Sequence, residues 1–220
     1  MTAGRESPSL KSEFLLDPEI AFLNHGSFGA CPRPVFEACQ RYQLELEREP
    51  VDFLQRSFRA RMRAAREQLG NFLGCSGADV AFVRNATYGM NTVARSLALG
   101  GGDKVLFTDQ EYGAVGRMWR SVCAEAGAEL VKVEIPLPAG DPKEIVEAFS
   151  SKVDRSVKVI TFPHISAELA QRYPVGELIE LARSAGAVSV VDGAHAPGQL
   201  RLDLEELGAD LYVGNCHKWM

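Results

Sequence analysis

No run of apolar residues in the sequence approaches the ~20 needed for a membrane-spanning helix, so a transmembrane helix is excluded. There is no C-x-x-C pair. The five cysteines, Cys31, Cys39, Cys75, Cys123 and Cys216, are odd in number and scattered, which fits reduced thiols better than a disulfide framework. Positive charge is not in excess: 24 Lys and Arg stand against 29 Asp and Glu, a net charge of −5. A general nucleic-acid binder is therefore disfavoured, because phosphate-backbone affinity rests on clustered cations. A small anionic ligand held by backbone amides stays compatible with that charge. The opening "MTAGRESPSLKSEF" has no apolar core, so no secretory signal is read. A cytoplasmic setting without a membrane partner is the expectation. Internal repeats and low-complexity segments are absent, and no metal site is expected.

What is present is an ordinary globular balance, with 46% hydrophobic and 24% charged residues in 220, enough for one sizeable domain or one and a half. Residues 1–20 read as a loose lead-in, and "FLNHGSFGACPRP" (22–34) as an irregular, glycine-rich segment. The expected division is a lead-in over 1–34 and a main domain over 35–220. Pro34 suits the first turn of a helix through about 35–48. Over 52–74, Phe53, Leu54, Phe58, Met62, Ala65, Leu69 and Phe72 recur at helical steps and predict an amphipathic helix with a basic outer face. Strands are then predicted at 80–84, 104–109, 129–135, 157–163, 188–193 and 210–215. Helices are predicted at 87–99, 113–127, 142–152 and 175–186. This alternation predicts an α/β fold of three layers, a mostly parallel sheet with helices on both faces. In such sheets ligands sit at the carboxyl ends of the strands.

The unusual polar groups collect at those ends: "RNAT" (84–87), "DQEY" (109–112), "PHIS" (163–166), "DGAH" (192–195) and "NCHK" (215–218). Asp192 follows a hydrophobic run, where a carboxylate is costly unless it caps a loop or meets a cation. Thr87 starts a helix, either as a plain N-cap or as part of an anion site at the helix terminus. Lys218 ends an apolar strand and its loop. It is either a surface charge or a nucleophile whose pKa is lowered by burial. Tyr112 and His195 are either core residues with a polar tip or contacts to a flat ligand. "RNATYGMN" is neither a Walker loop nor G-x-G-x-x-G, so a nucleotide site gains no support. One ligand would use all of these groups: planar, phosphorylated, with a protonatable ring nitrogen and a carbonyl that reacts with an amine. Pyridoxal 5'-phosphate has those features.

"DGAHAPG…DLYVGNCHKWM" resembles the class V aminotransferase family of fold-type I pyridoxal-phosphate enzymes. "FLNHGSFGACPRPVFEACQ", "RNATYGMNTVARSL" and "EYGAV" look most like the isopenicillin-N-epimerase-like branch. The resemblance implies that Lys218 is the Schiff-base lysine, giving an aldimine with the cofactor, and that Asp192 pairs with the pyridine nitrogen. It implies that His195 lies near the phenolic oxygen and that Tyr112 stacks on the ring. Ala86 and Thr87 match the phosphate-binding turn, and Asn215 and His217 match phosphate contacts from the lysine's own loop. Ser166 matches a small hydroxyl residue near the cofactor, while Asn24 and His25 match the family's N-terminal segment that borders the substrate pocket. The stretch "HISAELAQRYP" is more polar than its counterparts in relatives, through Glu168, Gln171 and Arg172.

The resemblance further implies a small amino-acid-like substrate and chemistry at its α-carbon. Relatives continue for well over a hundred residues beyond this endpoint. A C-terminally truncated chain, with an incomplete large domain and no small domain, is therefore expected, as is a homodimer at full length. The reaction stays open between epimerase, aminotransferase, and cysteine desulfurase or C–S lyase. Cys216 is expected to be a small packed residue rather than a nucleophile. A second reading, a non-catalytic remnant that acts only as a binding module, also stands. A Rossmann-type dehydrogenase is disfavoured by the missing glycine fingerprint.

Overall fold

The structure is a computed structural model, and it describes residues 10–137 and 141–220. The first nine residues of the expected lead-in lie outside the described residues. The chain divides into an N-terminal unit ending at Ala65 and a larger unit from Arg66 to Met220. Among the described residues, no helix is long and apolar enough to cross a membrane.

In the N-terminal unit, helix α1 (Arg33–Arg48) begins with Pro34 in its first turn, where proline's missing N–H costs nothing. Arg61 packs its guanidinium over the rings of Tyr42 and Phe53 and pairs with Glu45 at 2.7 Å. The single helix predicted over 52–74 is two segments. Asp52–Ser57 winds as a wider π-type helix and passes into the α-helix α2 (Phe58–Leu73). No described residue before Ala65 is buried.

The larger unit is built on five parallel strands: β1 (Lys104–Thr108), β2 (Glu129–Val133), β3 (Val157–Pro163), β4 (Val188–Gly193) and β5 (Leu211–Gly214). They lie in the order β2-β1-β3-β4-β5. Helix α3 (Ala86–Ser96) precedes β1, and α4 (Gly113–Ala126), α5 (Pro142–Ser150), α6 (Val175–Ala185) and the short α7 (Leu204–Leu207) run between the strands. Successive strand residues point to opposite faces, and the core divides accordingly. Val105, Val159 and Val190 join Met90, Trp119 and Val213 in one cluster under α3 and α4. Leu106, Ile160 and Val191 join Ile145, Phe149 and Leu178 in another under α5 and α6. That is the three-layer α/β arrangement expected from the alternation of strands and helices.

One predicted strand does not join the sheet. Residues 80–84 have no ladder partner among the described residues, and Phe82 and Val83 are exposed. A cavity of about 850 Å³ is lined by Phe82 of this segment and by Asn85, Tyr212, Asn215 and His217, among others. A strand needs a neighbour's backbone to satisfy its N–H and C=O groups. Segment 80–84 faces that cavity instead.

Candidate functional site

Because every strand runs the same way, all the carboxyl ends share one edge of the sheet. Register places Pro163 beside Asp192, Asp192 beside Val213, and Gly193 beside Gly214. Asp192 is only 5% exposed. One carboxylate oxygen accepts the Ala194 N–H at 2.9 Å, a local turn bond that anchors the group. Burial pushes its pKa up, while the Lys218 ammonium pulls it down.

Lys218 sits in the turn after β5, half-buried, with its Nζ 3.0 Å from His195 Nε2. Burial pushes its pKa down against the opposing pull of Asp192. The two residues therefore sense each other, yet no ion pair joins them. His195 is also pushed down, first by burial and then by Lys218. Its other ring nitrogen, Nδ1, accepts the Trp219 indole N–H at 3.4 Å. The bare alternative for Lys218, an exposed surface charge, does not hold.

The other end of the site is the start of α3. The N-cap is Asn85, whose side chain accepts the Tyr88 N–H at 2.8 Å. The reading of Thr87 as a plain N-cap is thus corrected, since Thr87 lies inside the first turn. Ala86 is buried and donates its N–H to Asn215 Oδ1 at 2.9 Å, across 129 positions of sequence. The Thr87 N–H and hydroxyl meet no protein acceptor among the described residues. A helix terminus with unspent donors is suited to a phosphate.

Tyr112 precedes the first residue of α4 with an extended backbone, and it is 50% exposed at the rim. His217 is exposed and lines the cavity beside β5 together with Asn215; Asp192 and Lys218 do not line that cavity. Ser166, 1% exposed, organises its own loop. Its Oγ accepts the Gln171 N–H at 3.1 Å and its N–H donates to the Gln171 carbonyl at 2.9 Å. Ala170 in that loop takes a left-handed backbone with φ of 52°, uncommon for a residue with a Cβ. Asn24 and His25 belong to the N-terminal unit. There His25 packs edge-on against Phe14 and Phe22 and accepts the Ala30 N–H at 3.4 Å. Cys216 is exposed rather than packed away. Burial of the thiol itself still pushes its pKa up, which keeps it protonated.

Three groups at this edge, two buried and one partly buried, carried no separate signal in the sequence. His164, 3% exposed, shares a hydrogen of 2.9 Å span with the Tyr212 hydroxyl and donates its backbone N–H to the Asp192 carbonyl. Burial lowers the His164 pKa to about 4, so the ring is neutral. Tyr212 is pushed up by burial and by Asp192. Its ring fills the space where a Cβ on Gly193 would otherwise sit. Glu111 is 7% exposed with one oxygen unpartnered. "DQEY" and "PHIS" mark the positions, but only the fold shows that they lie under Asp192.

The donor set fits pyridoxal 5'-phosphate: a buried carboxylate without a cation, an amine of lowered pKa beside it, and unspent donors at a helix terminus. A family model described as aminotransferase class-V matches residues 23–220. Isopenicillin N epimerase of Streptomyces clavuligerus is 37% identical over 96% of this chain and 53% of its own length. L-cysteine desulfhydrase of Arabidopsis thaliana is 31% identical over 91% of this chain and 47% of its own. Among solved structures, a mutant of C-DES with glycine covalently linked to its PLP cofactor superposes with a TM-score of 0.86. It is 21% identical and covers 97% of this chain and 56% of that one. The chain spans about half the length of the curated relatives it matches.

Proposed function

Since the chain belongs to the aminotransferase class-V family, with pyridoxal 5'-phosphate as cofactor, we propose that it works at the α-carbon of a small amino acid through Lys218. The observation that carries this reading is the placement of the Lys218 amine. It is hydrogen-bonded to His195 and within electrostatic range of the buried Asp192, yet paired with no carboxylate among the described residues. Lys218 would hold the aldehyde carbon of the cofactor, Asp192 its ring nitrogen, and the first turn of α3 with Asn215 its phosphate. When bound, the cofactor supplies an electron sink for charge released at the substrate's α-carbon.

The chain's own groups divide the remaining work. Burial favours the neutral Lys218 amine, the form that attacks a carbonyl or removes a proton. His195 Nε2 orients that nitrogen. Asp192 is held next to low-dielectric surroundings, so a ring-nitrogen cation beside it would be bound and kept protonated. Tyr112, at the rim, would cover one ring face. Ser166 keeps the neighbouring loop closed, and Asn24 and His25 are proposed as the substrate border. The complete protein is proposed as a homodimer.

Borohydride reduction in the presence of pyridoxal phosphate, followed by peptide mass mapping, tests this reading. A covalent adduct confined to Lys218 and absent from Lys218→Ala is the expected result; no adduct at Lys218 overturns it. A lyase acting on cysteine is the second reading, supported by the desulfhydrase relatives. Following chiral inversion of an amino acid alongside release of sulfide separates the two. As a desulfurase nucleophile Cys216 is poorly suited, because its thiol is held protonated.

A further inference from the structure

Glu111 ends the turn after β1, immediately before Tyr112. Its Oε1 accepts the Tyr112 N–H at 3.0 Å, and its own N–H donates to the Thr108 carbonyl at 3.2 Å. The other oxygen, Oε2, is buried with no hydrogen-bond partner among the described residues. A carboxylate left this way pays heavily for lost solvation, so its surroundings decide its protonation. From β4 comes the Asp192 carboxylate, a like charge. From the segment before α6 comes the Tyr173 hydroxyl, which bonds to Thr108 Oγ1 at 2.9 Å and Gln110 Oε1 at 3.1 Å, not to Glu111. Asp109, on Glu111's own turn, is occupied with the Ile135 N–H. None of these groups is a cation.

We propose that Glu111 is a positioning residue that works as a neutral carboxylic acid. Its Oε1 fixes the Tyr112 backbone where α4 begins, and its uncharged state leaves Asp192 the only anion facing the ring nitrogen of the cofactor. This rests on the proposed function for its second half, while the protonation of Glu111 stands on the fold alone. Burial first, then Asp192, push the Glu111 pKa well up, against a smaller opposing effect of the Tyr112 N–H. An ionised Glu111 would face the like charge of Asp192 in buried surroundings, which favours its protonated form.

The sign of the linked stability follows. A carboxyl whose folded pKa is raised binds its proton more tightly folded than unfolded. Its contribution is complete below the ordinary carboxylate value and is lost as pH rises toward the folded value. Glu111→Gln keeps an acceptor for the Tyr112 N–H and has no proton to lose.

The test compares wild type, Glu111→Gln and Glu111→Ala. Melting of the cofactor-free protein from pH 5 to pH 8 reads protonation. Wild type is expected to lose stability relative to Glu111→Gln as pH rises; parallel curves overturn the neutral-acid assignment. Titration with pyridoxal phosphate reads positioning. Glu111→Gln is expected to bind within about threefold of wild type, and Glu111→Ala about tenfold or more weaker, one factor of ten being about 1.4 kcal/mol. Glu111→Gln as weak as Glu111→Ala overturns the proposal, and so does Glu111→Ala as tight as wild type. If Glu111→Ala does not fold, Glu111→Met serves in its place. The Lys218 adduct on wild type is scored separately. Its absence sinks the proposed function and leaves the melting comparison standing. Its presence together with parallel melting curves sinks this inference alone.

Discussion

A single hydrogen bond ties the lysine's loop to the phosphate end: Asn215 Oδ1 accepts the buried Ala86 N–H. Replacing Asn215 with Ala strands that donor, at a cost of about 1–3 kcal/mol. Asn215→Asp keeps the acceptor. Urea denaturation is expected to show the loss for Asn215→Ala and most of the stability retained in Asn215→Asp. His164 gives a pH prediction. Its pKa falls from 6.5 to about 4 in the fold, so the unfolded chain takes up the proton more readily. The contribution is present above pH 6.5 and is lost as pH falls toward 4, by on the order of 3 kcal/mol at most. Denaturation at pH 7.5 and pH 5 is expected to show a smaller drop for His164→Asn than for wild type. Asp192 and Lys218 were legible in the sequence because ionisable groups at the ends of apolar strands stand out. Glu111 and His164 were not, because their meaning lies in what does or does not surround them once folded.

At the scale of elements, the loop carrying Lys218 is held by a glycine far from it in sequence. Gly198 has φ of 86°, and a Cβ there would collide with the carbonyl of Trp219. Gly198→Ala combines left-handed strain of roughly 1–2 kcal/mol with displacement of the turn beside Lys218. Far-UV circular dichroism close to wild type, with about a tenfold lower yield of the Lys218 adduct, is the expected result. Five strands and the helices between them were readable from hydrophobic alternation, since each is a local pattern. The sequence left the cap of α3 open because Asn85 and Thr87 are both good capping types two residues apart; the backbone selects Asn85. Residues 80–84 carry a strand pattern, but pairing is a property of two segments, and among the described residues no second segment forms a ladder with them.

On the scale of the molecule, apolar exposure concentrates in the N-terminal unit. Leu23 is 90% exposed and Phe28 72%, and side chains of this kind in such density mark contact surfaces. With the proposed homodimer, Leu23→Lys combined with Phe28→Lys is expected to shift the protein to monomer in light scattering. An unchanged mass would remove these residues from any subunit contact. The parallel order of the strands also sets a timetable. The groups proposed to hold the cofactor emerge during synthesis from Ala86 to Lys218, and the residues just after β5 supply both Asn215 and the amine. A nascent chain that has folded β1 to β4 therefore has walls but no anchor. Cofactor capture through Lys218 therefore cannot help guide the strands up to β4; it can act only once the turn after β5 is in place.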